Sequence, residues 1–234
     1  MVFLVNELRN GTNRGGVREP RELIQPDYGA CLSCVTTNIL YINNLINENW
    51  SVADTDALLG REAGETLPGE AAEIYLLDNG FMASEVGPFN TERFIAEGRD
   101  YLREYYGDLW PEPDFGTYWT DEKLRERQQI RRDISEAFRK YGDSFVEKHE
   151  VPTLETIDEM LCDNYQVIAN IVGSSHGVVH ASLVYGTTDD GLRYKMYCPR
   201  KESGGIEIWS KSKFTRFWRP DEGITGVKLP LFYQ

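Results

Sequence analysis

The sequence predicts an α+β fold, in which a helical first half packs against a sheet formed by the second half. Apolar residues between positions 35 and 78 recur at three- and four-residue steps, which is the period of a buried helix. After position 165, short runs of β-branched and aromatic residues alternate with turn signals, as in strands joined by hairpins. Helices first and an antiparallel run of strands last is the order of the α+β class.

Three helices are expected in the first third of the chain, after a short strand at 1–5 and a loop rich in Gly and Asn. The first has about four turns, ends near Asn47 and is marked by a periodic apolar set: Val35, Ile39, Ile42 and Ile46. Ser51 caps the second, which Gly60 ends, and the third covers 70–78.

The stretch 91–148 has a different character and is interpreted as a helical insertion into one domain that spans 1–234. A linker rich in proline precedes a long, charged helix that starts at Thr120. A thin apolar stripe along this helix predicts docking on one side only, with the charged residues in solvent.

The remaining strands are predicted at 166–172, 180–185, 194–197 and 206–209. Thr153 caps a short amphipathic helix before the first of them. The segment 189–191, Asp-Asp-Gly, is a turn signal that joins the second strand to the third.

Composition excludes several classes of function. The 234 residues carry a formal charge of -13, which disfavours nucleic acid and anionic membrane surfaces as partners. No apolar run reaches the roughly 20 residues of a membrane span. Four cysteines in a chain of this length do not make a disulfide framework, so we expect a reducing, cytoplasmic environment. Nothing calls for a cofactor.

Gln25, Cys31 and His180 are the residues that best account for a chemical activity. Acyl chemistry on sulfur needs a thiolate, a base and a hydrogen-bond donor for the oxyanion. Cys31 opens the first predicted helix, and a helix start favours the thiolate form of a cysteine. Gln25 precedes it by six residues as the donor, and His180 heads a strand far downstream as the base.

Two choices within this set stay open. Cys34 lies three residues after Cys31, and the run Cys-Leu-Ser-Cys-Val is weakly similar to the sequence around the papain nucleophile. That similarity favours Cys34. The spacing from Gln25 favours Cys31. Among the histidines, His176 lies in a turn-rich loop and His149 in the charged insertion, so His180 is preferred.

In the order of these parts the chain resembles the papain-like cysteine peptidases, and most closely the double-glycine leader peptidases. The resemblance covers 25–85 and 150–220: the glutamine and cysteine, the long helix, the histidine strand with its Asp-Asp-Gly turn, and a closing aromatic helix at 214–218. It implies a papain-like fold and a peptide or amide substrate. In that family an Asp or Asn just before a proline orients the catalytic histidine. In this chain Cys198 occupies that position, next to Pro199.

The leading hypothesis is therefore a cysteine peptidase or amidase that works through an acyl-enzyme. An acyltransferase would use the same residues with an amine as acceptor. A papain-like binding module without activity is the next alternative, suggested by Cys198. A zinc-structured interaction domain is the third choice, since Cys31 and Cys34 are half of a zinc site that His180 and Cys198 would complete.

Overall fold

The computed structural model describes residues 18–27, 29–107, 118–172, 179–199 and 205–230. The predicted strand at 1–5 and the histidine at 176 lie outside these residues. The described part contains eight α-helices and one sheet of seven strands, so the protein has a mixed α and β fold.

The first three helices carry the caps that the sequence predicts. They are α1 (Cys31–Ile42), α2 (Val52–Leu59) and α3 (Gly69–Asp78). Ser51 and Asp54 form a reciprocal capping box at the start of α2, and Gly60 ends this helix with a positive φ of 71°. The prediction that α1 reaches Asn47 is wrong, because Asn44 takes a positive φ of 58° and turns the chain after Ile42.

The middle of the chain combines helices with two strands of the sheet. Its elements are β1 (Met82–Val86), α4 (Thr91–Glu97), α5 (Arg99–Tyr106), α6 (Asp121–Arg139) and β2 (Phe145–Lys148). The side chain of Thr120 caps α6, as expected for the long charged helix. β2 pairs with β1, so a strand of the central sheet comes from within the predicted insertion.

The last part of the chain supplies the rest of the sheet. Its elements are α7 (Leu154–Cys162), β3 (Gln166–Val172), β4 (Val179–Thr187), β5 (Arg193–Cys198), β6 (Gly205–Ser210), α8 (Lys211–Phe217) and β7 (Ile224–Lys228). The strand order is β2-β1-β7-β3-β4-β5-β6. The expectation of a purely antiparallel sheet is wrong at one edge, where β1 and β2 run parallel.

Helices cover both faces of the sheet, because its central strands carry apolar side chains on both sides. The front face, which includes Ile168, Leu183 and Tyr197, belongs to the apolar cluster of α1, α2 and α3. The back face, which includes Val184 and Met196, belongs to the cluster of α7 and α8. No helix among the described residues is long and apolar enough to cross a membrane.

Candidate active site

The segment 18–25 runs beside α1 in the opposite direction. The backbone N–H of Arg21 donates to Oδ1 of Asn38 at 2.7 Å, and its carbonyl accepts from Nδ2 at 3.1 Å. The Tyr197 hydroxyl donates to the carbonyl of Leu23 at 2.6 Å. The same hydroxyl also contacts the Cys34 thiol, so the segment approaches the first turn of α1 at Leu23. Gln25 follows two residues later, in the loop that leads to Cys31.

Gln25 is buried, with 7% of its surface exposed. Its Nε2 donates to the backbone carbonyl of Asp27 at 2.6 Å. The Oε1 atom is buried and has no hydrogen-bond partner among the described residues. An amide NH2 group carries two hydrogens, so one donor position is left after the bond to Asp27. The side chain is held in the loop that leads to Cys31, as its predicted role requires.

An ion pair that the sequence analysis missed fixes this loop. The guanidinium of Arg61 binds Asp27 and Asp56 together, with nitrogen–oxygen distances of 2.9 and 2.7 Å. It also donates to the carbonyls of Glu62 and Glu65. The Arg61 side chain is only 1% exposed. The charged group thus ties the loop before α1 to the turn after α2.

Gly29 brings the same loop against the chain that follows α2. Its φ is +95°, and an added Cβ would lie 2.1 Å from the Glu65 carbonyl oxygen. Both the backbone conformation and the close approach therefore require glycine at this position. Arg61 donates a hydrogen bond to that same carbonyl. Gly29 and Arg61 therefore both hold the residues before α1 against Glu65.

The two cysteines of α1 differ in exposure. Cys31, at the first position of the helix, is partly exposed, whereas Cys34 is fully buried. Burial raises the pKa of the Cys34 thiol to about 12. A thiol in that state is a poor nucleophile. The burial of Cys34 and its raised pKa both count against Cys34, so Cys31 is the better candidate in the choice that the sequence left open.

Tyr197 connects this helix start to the sheet. Its hydroxyl lies in hydrogen-bonding contact with the Cys34 thiol and donates to the carbonyl of Leu23. Burial and the neighbouring sulfur raise the pKa of Tyr197 well above its usual range. Tyr197 is paired in register with Leu183 on β4. The first turn of α1 is thus packed on the front face near the middle of β4.

His180 lies near the start of β4, and the register of the strand decides on which face of the sheet its side chain lies. His180 is paired with Ile171, and Ser182 is paired with Ala169. Ile171 and Ala169 both belong to the back-face cluster. Ala181, the neighbour of His180, packs against the front-face cluster instead. Alternation along the strand therefore places His180 on the back face, opposite to α1. Its catalytic role stays a prediction.

Cys198 follows the same alternation. It is 1% exposed, and its Sγ accepts a hydrogen bond from the Ser182 hydroxyl at 3.4 Å. Leu183 pairs with Tyr197, so Ser182 lies opposite Cys198 and His180 two residues further along. The sequence analysis placed Cys198 beside His180, and the register puts both on one face of neighbouring strands.

Two further histidines and a zinc site were the alternatives predicted from the sequence. His149 lies beyond β2, four strand positions from β4, or roughly 19 Å at the usual spacing. Its Nδ1 is 3.7 Å from Glu147. His176 lies outside the described residues. Within the described ranges, no group of three or more His, Cys, Asp or Glu side chains is arranged to hold a metal ion.

Asp27 and Arg61 could not have been selected from sequence, because 34 residues separate them and neither lies in a motif. The site therefore consists of a partly exposed cysteine at a helix start, a buried amide in the loop before it and an ion pair that fixes this loop. Comparison with protein-family models and with curated proteins finds no match to this chain.

Proposed function

We propose that the protein is a papain-like cysteine hydrolase that cleaves a peptide or amide bond, with Cys31 as its nucleophile. The observation that carries the proposal is the partly exposed Cys31 at the start of the buried helix α1, with the fixed amide of Gln25 in the loop before it. The resemblance to the double-glycine leader peptidases in the order of these parts supports the same assignment.

In the proposed reaction, the Cys31 thiolate attacks the carbonyl carbon of the substrate amide. The oxyanion that forms accepts hydrogen bonds from the Gln25 amide and from backbone N–H groups at the start of α1, where no side chain caps the helix. The C–N bond then breaks, and the departing amine takes a proton from a general acid. The sequence pattern proposes His180 for this role, which requires its imidazole to reach Cys31 although the alternation of β4 directs it to the back face. Water hydrolyses the thioester and regenerates the thiol. An amine in place of water would make the enzyme an acyltransferase.

A binding module without activity is the second candidate, and one observation favours it. The alternation of β4 directs His180 to the back face, whereas Cys31 belongs to the helix on the front face. A chain that keeps the papain-like scaffold but lacks the thiol–imidazole pair would bind a peptide without cleaving it. The two candidates differ in the reactivity of Cys31.

Alkylation by iodoacetamide separates them, because the chain contains its own reference thiol. Cys162 at the end of α7 is exposed, and it is compared with Cys31 in the same sample by peptide mass spectrometry. If the protein is a hydrolase, Cys31 should be alkylated faster than Cys162 at pH 6–7, although Cys31 is the less exposed of the two. The matched variants are Cys31→Ala, which should lose hydrolysis of a peptide library, and Cys34→Ala, which should keep it. If Cys31 reacts no faster than Cys162, the hydrolase proposal is wrong.

A further inference from the structure

The proposed hydrolase uses one sulfur, yet α1 begins with two. Cys31 occupies the first position of the helix and Cys34 the fourth. Cys31 is partly exposed, and Cys34 is fully buried. The proposed hydrolysis gives no role to the second thiol.

The helix holds the two sulfurs within reach of each other. Residues three apart lie on the same face of a helix, with Cβ atoms about 5–6 Å apart. A disulfide needs Cα atoms about 4.4–6.8 Å apart, which one helical turn supplies, and Cβ atoms about 3.5–4.5 Å apart. A small closure of the first turn is therefore enough. No side-chain cap resists that closure, since Ala30 is the N-cap residue. The charge of the Cys31 sulfur is among the causes that raise the pKa of the Cys34 thiol, as expected for neighbouring sulfurs.

We propose that Cys31 and Cys34 form a reversible disulfide when the protein meets a hydroperoxide. The Cys31 thiolate attacks the peroxide oxygen, the O–O bond breaks, and a sulfenic acid and one water (or alcohol) result. The buried Cys34 thiol is a poor nucleophile toward molecules in solution, but it is held within one helical turn of the Cys31 sulfur. It attacks that sulfur and gives its proton to the sulfenic oxygen, which leaves as a second water. Two thiols are oxidised by two electrons, and a small dithiol returns them to the reduced state.

The surroundings divide the roles between the two sulfurs. Only Cys31 is open to a peroxide, because Cys34 is buried beneath it and bonded to Tyr197. Cys198 is not the expected partner, since it lies on the back face and accepts from Ser182. Formation of the disulfide stands on this geometry alone. Its consequence, reversible loss of the nucleophile, rests on the proposed function.

Tryptic mapping tests the inference directly. The sequence has no lysine or arginine between Arg21 and Arg61, so trypsin releases residues 22–61 as one peptide that contains only these two cysteines. The protein is treated with one equivalent of hydrogen peroxide, blocked with iodoacetamide and digested without reduction. We expect this peptide to lose two hydrogens and to carry no alkyl group. Dithiothreitol before blocking should restore two alkylated thiols.

Three variants complete the test. Cys162→Ser, at the exposed cysteine of α7, should still form the disulfide. Cys34→Ala has no second thiol, so with one equivalent of peroxide its Cys31 peptide should gain one oxygen as a sulfenic acid instead of losing two hydrogens. Cys31→Ser should leave Cys34 alkylatable after unfolding. If the wild-type peptide gains oxygen, keeps both thiols or joins Cys198, the inference is overturned, and this reading does not depend on whether Cys34→Ala folds.

The two proposals fail in different ways, because the disulfide is read by mass alone. A chain that forms the disulfide but leaves every tested peptide intact contradicts the hydrolase and supports the dithiol. A chain that hydrolyses peptides and never loses two hydrogens contradicts the dithiol and supports the hydrolase.

Discussion

Both carboxylate oxygens of Asp27 accept hydrogen bonds from the Arg61 guanidinium, at 2.9 and 3.1 Å. The pair holds the pKa of Asp27 below its usual value, chiefly through the hydrogen bond to Arg61. Arg61 also binds Asp56, so one buried cation serves two carboxylates. The loop that carries Gln25 and the turn after α2 are thereby fixed to each other.

Replacing Arg61 should therefore affect stability and the site together. In Arg61→Ala two carboxylates lose their cation, and because the Arg61 side chain is 1% exposed we expect a loss larger than the about 0–1 kcal/mol of an exposed pair. Arg61→Lys keeps the charge but cannot bind both carboxylates in fork geometry, so a smaller loss is expected. Urea unfolding measures the stability, and alkylation of Cys31 reports the geometry of the loop.

The control for this prediction is Arg219→Ala, because Arg219 pairs with Asp221 on an exposed surface. An exposed pair contributes about 0–1 kcal/mol. If Arg61→Ala unfolds at the same urea concentration as Arg219→Ala, the buried ion pair does not stabilise the loop.

A second prediction concerns a group of carboxylates on the front face. Glu73 of α3 accepts from the Thr225 hydroxyl at 2.6 Å, and Glu85 of β1 is paired in register with Thr225 and Glu147. Burial raises the pKa of Glu73 to about 7 and that of Glu85 to about 8. Glu70, which is bonded to Arg131, adds negative charge nearby.

Stability should fall as the pH rises through this window. The ordinary pKa of a glutamate is 4.5, so between that value and about 8 the folded state holds protons that the unfolded state has released. Rising pH then favours unfolding, by at most about 1.4 kcal/mol per pH unit for each group. Urea unfolding of the wild type between pH 5 and pH 9 measures the slope.

Glu85→Gln should flatten this pH dependence, because it removes one of the two buried acids. Glu159→Gln, at an exposed position of α7, is the matched control and should keep the wild-type slope. Equal slopes in the wild type and in Glu85→Gln would show that Glu85 ionises normally in the folded protein.

A third prediction addresses His180. If its imidazole pairs with the Cys31 sulfur as proposed, His180→Ala should shift the pH profile of Cys31 alkylation toward higher pH, because the cation that stabilises the thiolate is lost. His149→Ala removes a histidine at the far edge of the sheet and should leave the profile unchanged. An unchanged profile in His180→Ala would mean that this residue packs on the back face, and His176 would be tested next.

Local signals in the sequence were enough for much of the fold. The caps at Ser51, Thr120 and Thr153 act within three residues of themselves, and each helix begins where its cap predicts. Three strands were missed: β1, β2 and β7. Each has only four or five residues, and each is held by partners far away in the chain. Periodicity over so few residues does not distinguish a strand from a loop.

In the candidate site, too, local features were predicted from the sequence and features that depend on packing were not. The spacing of Gln25 and Cys31 is local, and the structure has Cys31 at the first position of α1 and Gln25 buried in the loop before it. The ion pair of Asp27 with Arg61 and the contact of Cys34 with Tyr197 depend on how separate elements pack, and no spacing rule foretells them. The face of the sheet on which His180 lies depends on strand register. A shift of the register by one residue moves every side chain of the strand to the other face.

The position of β7 has a consequence for how the chain reaches its folded state. It is the latest of the seven described strands in chain order, yet it lies between β1 and β3 and joins the two halves of the sheet. Until residues 224–228 have left the ribosome, β1 and β3 both present open backbone edges to other chains. Completion of the sheet therefore waits for β7, and whatever covers those two edges before then lowers the risk that they pair with another chain.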